Sequence, residues 1–357
     1  MEHNNIMFAL ITSGVLTLSL VLVTVLKYKF IAKKKCLLGR HVIVTQIIKL
    51  YIVYWSIIFS FFQVTGGSSG IGKCIALEAA KIGANVTIVA RNENRLRSAL
   101  EEIKGQCSYN DQKFNYLSVD LAGDYNMVKT TLNNAIDEMG PLCLFINCAG
   151  MAICGTLEDI SSNDIMKMIN TNLISTIQAT KAIVNEMKQN GYGSIVITSS
   201  LASFCGIYGL SVYSATKFAL RGFAEALSME TKNFGIKVTL ALPPDTDTPG
   251  YANESKDKPL ETLLISETAN LFTPEEVGRQ IFQDTLDGRF FSTVGFEGHM
   301  MTIFCAGMAP YTFYLELICQ VFCAGILRLI TVYYQFTFDK IIKKCKLDRE
   351  HLKNNKT

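Results

Sequence analysis

Tyr213 and Lys217 are the two side chains of this sequence best suited to proton chemistry, because a phenol and an ammonium lie four residues apart. In a helix this spacing places both side chains on one face. A free tyrosine has a pKa near ~10, and an adjacent ammonium favours the phenolate and lowers that pKa. Tyr213 is therefore a candidate general acid for a carbonyl oxygen. Taken alone, the spacing is also typical of an ordinary pair on a helix surface.

Two further polar residues precede this pair in the sequence. Ser200 lies thirteen residues before Tyr213, at the end of an apolar run typical of a buried strand. Its hydroxyl can hydrogen-bond the same carbonyl oxygen. Asn172 lies in the helix predicted before that strand, where it could hold a water molecule that relays protons past Lys217. The four residues together predict proton transfer to a carbonyl oxygen.

A glycine-rich turn from Val64 to Gly72 is the element that must position this chemistry. The turn follows an apolar run and leads into helix-forming sequence. Gly66 suits a tight exit from a strand, and Gly70 lets backbone N–H groups approach a pyrophosphate at the helix N-terminus. Loops that bind nothing also use Gly and Ser, so the turn alone is weak support. The predicted cofactor-binding residues of the turn are Gly66, Ser68, Ser69, Gly70, Ile71 and Gly72.

Short apolar runs alternate with longer amphipathic stretches after the turn, which is the pattern of a parallel sheet covered by helices on both faces. We predict an α/β protein with a Rossmann-like, doubly wound parallel sheet in one domain. One strand precedes the turn, and the other five are predicted at Val86–Ala90, Phe114–Val119, Leu142–Ile146, Ser194–Thr198 and Ile236–Ala241. Helices are predicted over residues 71–82, 93–103, 125–139, 162–188 and 213–234.

The ends of the predicted strands indicate which dinucleotide binds. An enzyme for NAD usually has an acid after the second strand, whereas this chain has Arg91 there and Arg95 one helical turn later. These cations favour the 2′-phosphate of NADPH, although Arg91 alone would also suit a solvated surface position. The remaining predicted cofactor contacts follow the third and fourth strands: Asp120 at the adenine, and Asn147, Ala149 and Gly150 along the cofactor.

Both ends of the chain indicate a membrane. Residues 6–26 carry no charge over 21 positions, enough to span the ~30 Å hydrocarbon core, and a basic segment follows up to residue 40. The positive-inside bias then predicts a cytosolic body, with a cleaved signal peptide as the alternative. Near the other end, Glu316 and Arg328 interrupt an apolar stretch, which favours a membrane-associated amphipathic element over a second span or a buried cap.

Composition narrows the possible classes of protein. A net charge of +3 over 357 residues argues against a nucleic-acid partner. Eleven cysteines without metal-ligand spacing indicate reduced thiols, consistent with the cytosolic side of a membrane, and no metal site. Neither composition nor motifs indicate an oligomeric state.

The motifs together resemble the short-chain dehydrogenase/reductase family, over Val64 to about Leu242. The resemblance implies a Ser/Tyr/Lys/Asn tetrad, in which hydride passes between a nicotinamide and a carbonyl carbon while the tyrosine transfers the proton. Tyr213 would be the acid, Lys217 would lower its pKa and bind the nicotinamide ribose, and Ser200 would polarise the carbonyl. Asn172 would support the proton relay. Ser199 is an alternative for the serine role, but the usual family spacing to the tyrosine points to Ser200.

A narrower resemblance is to the 3-ketodihydrosphingosine reductases of that family. It rests on Ala90-Arg91-Asn92-Glu93, on a long polar segment over residues 244–267 of the kind that folds over substrate, and on residues 305–310. It implies NADPH-dependent reduction of 3-oxosphinganine, a long-chain keto-sphingoid base, to sphinganine at the cytosolic face of the endoplasmic reticulum membrane. The alternatives are an anchored reductase of a steroid or retinal, and a catalytically silent membrane scaffold. The implied organisation is an anchor in residues 1–40, a reductase domain in 41–295 and a membrane-associated tail in 296–357.

The segment Val44–Gln63 directly before the turn is unusual. Its removal joins His41-Val42-Ile43 to Val64-Thr65-Gly66, which resembles the family's first strand without a gap. The Val-Thr pair at both borders and the pyrimidine-compatible codons before residue 63 suggest a retained intron. The alternative is a genuine element in which residues 60–64 replace the first strand and the rest forms an extra helix on the membrane.

Overall fold

A computed structural model describes residues 60–354 of the chain. The predicted anchor at residues 6–26, the basic segment up to residue 40 and residues 44–59 of the suspected insertion lie outside this range. Within it, seven strands form one parallel sheet in the order β3-β2-β1-β4-β5-β6-β7. The strands are β1 Phe61–Thr65, β2 Asn85–Ala90, β3 Phe114–Ser118, β4 Leu142–Asn147, β5 Gly193–Thr198, β6 Ile236–Ala241 and β7 Phe291–Ser292.

Helices follow the strands and cover both faces of the sheet. They are α1 Gly70–Lys81, α2 Glu93–Lys104, α3 Tyr125–Met139, α4 Ser162–Met168, α5 Ser175–Asn190, α6 Ser211–Thr231, α7 Pro249–Glu254, α8 Leu260–Ser266, α9 Pro274–Asp287, α10 Gly295–Phe304 and α11 Tyr314–Asn354. The buried side chains form two clusters, one between the sheet and α1, α2 and α9, the other between the sheet and α3, α5 and α6. The predicted doubly wound α/β fold is confirmed.

The strand order reverses between β1 and β4, which are neighbours in the middle of the sheet. The chain builds outward from β1 to β3 and then continues from β4 on the other side. In open parallel sheets a reversal of this kind leaves a crevice at the carboxyl ends of the strands, where ligands bind. The glycine turn follows β1 and residues 148–150 follow β4, so the fold brings these two motifs to one crevice.

The structure differs from the sequence expectations in two elements of the central fold. The helix predicted over residues 162–188 is divided into α4 and α5 by a π-helical segment, Ile169–Ile174, which carries Asn172. Single π-helical turns are frequent at functional sites. The sheet also has a seventh strand, the two-residue β7, which pairs with β6 and has too short an apolar run to be recognised in the sequence.

The first strand uses the last residues of the suspected insertion. Phe61 and Phe62 are buried in β1 and pack on opposite sides of the sheet. Gln63 between them and the turn is also buried, and neither polar atom of its side chain has a hydrogen-bond partner in the described part of the chain. The structure thus has residues 60–64 in the place that the alternative interpretation gives them, at the cost of a buried unpaired amide.

The C-terminal helix α11 is the one described helix that is long and apolar enough to cross a membrane, with a mean hydropathy of 1.9 over its most apolar part. It packs along α10 and α8. Arg349 near its basic end forms a 2.6 Å ion pair with the buried Glu261 of α8. Large apolar side chains remain exposed along its length: Val321, Phe322, Leu329, Tyr333 and Phe336.

Candidate active site

A cavity of about 830 Å³ opens at the carboxyl ends of the strands and extends beneath α10 and α11. Most of the site residues predicted from the sequence line it: Gly66, Ser68, Ser69, Gly70, Ile71, Gly72, Arg91, Arg95, Asp120, Ala149, Gly150, Ser199, Ser200, Tyr213 and Lys217. Asn147 and Asn172 are buried beneath its wall. The predicted cofactor and catalytic motifs therefore share one space.

The glycine turn is tightly packed against the neighbouring loop. Gly66 has a φ of +67°, and a Cβ atom there would lie 2.8 Å from the backbone nitrogen of Ala149. At Gly72 a Cβ atom would lie 2.5 Å from the carbonyl oxygen of Gly66, so the first turn of α1 can approach the strand only without a side chain. The Thr65 hydroxyl accepts hydrogen bonds from the backbone of Cys148 (3.0 Å) and Ala149 (3.3 Å), which holds the two loops together.

The start of α1 is suited to an anion. Ser69 is its N-cap residue, but the side chain makes no capping hydrogen bond, and the first turn contains no acidic residue. The first N–H groups of a helix have no intrahelical partners, and the helix dipole favours negative charge there. Together with the glycines of the turn, this end of the cavity fits the pyrophosphate of a dinucleotide.

Three charged side chains lie at the neighbouring end of the cavity, where the adenosine part of a dinucleotide would bind. Arg91 and Arg95 are exposed, and in the described residues neither guanidinium takes part in an ion pair. The backbone of Arg95 is fixed by a 2.9 Å hydrogen bond to the Asn92 side chain at the N-cap of α2. The Asp120 carboxylate accepts a 3.1 Å hydrogen bond from Ala122 N. Two exposed cations thus lie at this end of the cavity.

Tyr213 lies in the first turn of α6, and the side chain of Ser200, which follows β5, lies close enough to the phenol to affect its pKa. The Ser200 hydroxyl also accepts a 3.2 Å hydrogen bond from Ala202 N, which fixes its orientation. Both residues line the cavity. A carbonyl oxygen placed between the two hydroxyls would receive two hydrogen bonds, and one of the donors could transfer its proton.

The pKa of Tyr213 differs from the sequence expectation. Lys217 was expected to lower it, but burial raises the pKa of the phenol, and the negative charges of Glu254 and Asp245 raise it further. The neighbouring Ser200 side chain acts in the opposite direction. The phenol is therefore held in its neutral form, which is the form that can donate a proton during reduction.

Lys217 is buried below Tyr213, one turn further along α6. Its ammonium donates a 3.1 Å hydrogen bond to the carbonyl oxygen of Thr198 and lies 5.5 Å from the centre of the Tyr213 ring. Burial lowers the pKa of Lys217 from 10.5 to about 8. The ammonium is close enough to the cavity to meet a ligand hydroxyl but does not make a direct hydrogen bond to the phenol.

Asn172 and Ser199 hold the site together from below. The Asn172 amide accepts a 2.8 Å hydrogen bond from Met151 N and donates to Met151 O (2.9 Å) and Thr216 Oγ1 (3.1 Å). Its side chain is thus occupied in joining the loop after β4 to α6. The Ser199 hydroxyl donates a 2.9 Å hydrogen bond to the carbonyl oxygen of Lys217. That contact fixes α6, whereas Ser200 is the serine that contacts the phenol.

Asn147 does not face the cavity. Its side chain donates hydrogen bonds to Thr180 Oγ1 (3.1 Å) and to the carbonyl oxygen of Val196 (3.3 Å), tying β4 to α5 and β5. The Asn147 side chain therefore points into the protein interior, whereas the sequence predicted that it would lie along the cofactor. The residues that follow it, Ala149 and Gly150, do line the cavity.

Sequence reasoning missed the far wall of the cavity. Asp245 and Glu254 face the cavity from the segment after β6, and α10 and α11 add apolar side chains: Met300, Met301, Phe304, Leu327 and Tyr334. The segment over residues 244–267 was expected to fold over substrate, but its spacing does not show which side chains point inward. For the apolar wall, the sequence indicated only that the C-terminal region is hydrophobic, and not which of its side chains line the cavity.

Comparison with known proteins agrees with this geometry. Residues 61–259 match the family model described as short chain dehydrogenase. The chain belongs to the short-chain dehydrogenase family. It is accordingly an oxidoreductase with a nicotinamide cofactor, and the glycine turn and the N-terminus of α1 fit such a group.

Individual relatives are also similar over most of their length. The chain is 43% identical over 289 residues to a 3-ketodihydrosphingosine reductase of Bos taurus, covering 81% of this chain and 87% of the relative. It is 42% identical over 290 residues to a 3-dehydrosphinganine reductase of Danio rerio, with coverage of 81% and 87%. The crystal structure of levodione reductase has a TM-score of 0.59 at 20% identity, covering 64% of this chain and 91% of that chain, which shows the shared fold alone.

Proposed function

We propose that this chain reduces 3-oxosphinganine to sphinganine with NADPH. The observation that carries the proposal is the pair of neighbouring hydroxyls, Ser200 and Tyr213, at the point where the cofactor crevice meets an apolar cavity beneath α10 and α11. Relatives that share 42–43% identity over most of the chain are named for this reaction. A ketone on a long alkyl chain needs both parts: hydroxyls for the oxygen and an apolar wall for the chain.

The residues divide the proton chemistry among them. When bound, the nicotinamide supplies the hydride that converts the ketone carbon into an alcohol carbon. Ser200 holds the carbonyl oxygen, and Tyr213 donates its phenolic proton to that oxygen as negative charge develops there. The Lys217 ammonium stabilises the tyrosinate left behind. Asn172 positions the loop after β4 so that Gly150 stays close to Lys217. We also propose, as the sequence predicts, that Asn172 helps to hold a water molecule that relays protons past Lys217.

NADPH is proposed rather than NADH because of Arg91 and Arg95. Both arginines line the cavity where the adenosine ribose would bind, and the residue directly after β2 is Arg91 rather than a carboxylate. A charge-assisted hydrogen bond to phosphate is stronger than a neutral one. The two cations therefore support preference for the phosphorylated cofactor.

Membrane association at the cytosolic face of the endoplasmic reticulum is the second part of the proposal. The exposed apolar side chains of α11 and its basic end are suited to a lipid surface, and the opposite side of the same helix lines the cavity. A lipid substrate could then reach the site without leaving the bilayer environment. We also propose the division into an anchor (1–40), a reductase domain (41–295) and a membrane-associated tail (296–357).

The direct experiment is to incubate membranes that contain the full chain with NADPH and 3-oxosphinganine, and to measure sphinganine. A steroid ketone and retinal serve as parallel substrates, since they represent the other anchored reductases considered. The proposal expects sphinganine formation to dominate. Selective reduction of the steroid or of retinal would assign the chain to another hydrophobic carbonyl, and no turnover of any substrate would favour a silent scaffold.

A further inference from the structure

The segment after β6 brings two carboxylates to the substrate end of the cavity. Asp245 lies four residues after β6, and Glu254 is the last residue of α7. Both line the cavity together with Tyr213, and the charges of both raise the pKa of the Tyr213 phenol. The acids therefore lie close to the place where a carbonyl oxygen would be protonated, and the proton transfer itself does not use them.

Lys258 compensates only one of the two negative charges. Its ammonium forms a 3.0 Å ion pair with Glu254 and lies 4.1 Å from the centre of the Tyr251 ring, with only 1% of its side chain exposed. Glu254 also accepts a 3.7 Å contact from the Cys154 thiol. Glu254 is thus held by partners inside the protein, and its orientation is fixed.

Asp245 has much less support from the protein. In the described part of the chain, the hydrogen bond to its carboxylate is a long one of 3.5 Å from the Tyr251 hydroxyl. The group of Asp245, Glu254 and Lys258 therefore carries one net negative charge facing a largely apolar cavity. A charge in such surroundings is costly unless a partner compensates it, so a cationic group on the ligand would be favoured here.

The proposed substrate carries such a group beside the reacting atom. This step rests on the proposed function: 3-oxosphinganine is a 2-amino-1-hydroxy-3-ketone, so its ammonium is attached to the carbon next to the ketone. With the carbonyl oxygen between Ser200 and Tyr213, the ammonium is held within a few ångströms of that oxygen. Steroid ketones and retinal lack a cation at this position.

We propose that Asp245, supported by the neighbouring Glu254–Lys258 ion pair, binds the ammonium group of the amino ketone and makes the enzyme specific for it. Asp245 then acts as a specificity residue for the reaction. The alkyl chain would extend in the opposite direction, along Met301, Phe304 and Leu327 on the apolar wall. The ammonium contact fixes which face of the ketone group is turned toward the nicotinamide side of the cavity.

The test compares two ketones and two variants of the full chain. One ketone is 3-oxosphinganine, and the other is the matching 1-hydroxy-3-ketone without the amino group. The variants are Asp245→Asn and, as the matched control, Asp247→Asn, which changes an exposed acid of the same segment that does not line the cavity. Steady-state kcat and KM are measured with NADPH, and thermal melting verifies that each variant is folded.

We expect the wild-type enzyme to prefer the amino ketone by ~10-fold or more in kcat/KM, the range of one charge-assisted hydrogen bond. Asp245→Asn should remove most of this preference by raising KM for the amino ketone more than KM for the deaminated ketone, whereas any effect of the lost charge on Tyr213 should alter kcat for both ketones alike. Asp247→Asn should retain the wild-type preference.

Two results would overturn the inference. One is a wild-type enzyme that reduces both ketones equally well. This comparison uses only the wild-type enzyme, so it tests the inference even if Asp245→Asn does not fold. The other is an Asp245→Asn enzyme that keeps the full preference or loses activity equally on both ketones. Failure of the proposed function would look different, because the wild-type enzyme would then reduce neither of the two long-chain ketones.

Discussion

Replacement of Gln63 by isoleucine should stabilise the protein. Gln63 lies in the middle of the sheet, fully buried, between Thr87 of β2 and Phe145 of β4. Both polar atoms of its side chain lack hydrogen-bond partners in the described residues. An unsatisfied buried polar group costs about 1–3 kcal/mol, and a hydrophobic exchange of similar size costs up to about 1.5 kcal/mol in repacking. We therefore expect Gln63→Ile to raise the free energy of unfolding by about 1 kcal/mol.

Two threonine variants provide the comparison. The Thr87 hydroxyl is also buried, and no residue between 60 and 354 pairs with it, so Thr87→Val should stabilise in the same direction. Thr239 is an equally buried strand threonine, but its hydroxyl donates a 2.7 Å hydrogen bond to the carbonyl oxygen of Arg289. Thr239→Val should therefore destabilise by about 1 kcal/mol, the typical net value of a hydrogen bond.

The assay is thermal unfolding of the purified full-length variants under one set of detergent and buffer conditions. A change of 1 kcal/mol corresponds to roughly 2 °C in melting temperature for a domain of this size. If Gln63→Ile lowers the melting temperature as Thr239→Val does, the Gln63 amide has a partner and our reasoning is wrong. Gln63 is also the last residue of the suspected insertion, and Ile43 would take its place if that segment were removed.

Three further predictions concern the cofactor, the pH dependence and the suspected insertion. Arg91→Ala should reduce the preference for NADPH over NADH in kcat/KM by ~10-fold or more, because a charge-assisted contact to the 2′-phosphate is lost; a wild type without such a preference would contradict the assignment. Because burial lowers the pKa of Lys217 to about 8, kcat/KM for NADPH should fall as the pH rises through that value, where the ammonium loses its charge; activity retained up to the ordinary pKa of 10.5 would show that Lys217 is not buried as described. Transcript sequencing should find messages that lack the codons for Val44–Gln63, and their product should be at least as active as the full-length chain; an equally active and predominant full-length product would establish the segment as a genuine element.

The sheet could be predicted from the sequence because each central strand is a short apolar run with a clear end. The cofactor turn could also be predicted, because the roles of Gly66 and Gly72 depend on local backbone conformation and on close approach of the backbone. β7 could not be predicted, since two residues form no recognisable pattern. The break in the long helix at Asn172 was also hidden, because it coincides with hydrogen bonds to Met151 and Thr216 that are distant in sequence.

The electrostatics of the site show the same limit. The spacing of Tyr213 and Lys217 correctly placed both residues on one helix near the cavity, but it predicted the wrong direction for the pKa of the phenol. That direction depends on burial and on Glu254 and Asp245, which approach from a segment more than thirty residues later. Local spacing identifies which groups can react, whereas the surrounding charges depend on the complete fold.

The measurement that tests the central claim most directly is sphinganine formation from 3-oxosphinganine and NADPH by the wild-type chain and by Tyr213→Phe. General acid catalysis contributes ~10²–10⁴-fold, so the variant should lose at least ~100-fold in kcat. NADPH binding, measured by quenching or enhancement of its fluorescence, should stay nearly unchanged, because the phenol acts on the developing alkoxide. A variant that binds NADPH and retains a third of the wild-type activity would contradict the assignment of Tyr213 as the proton donor.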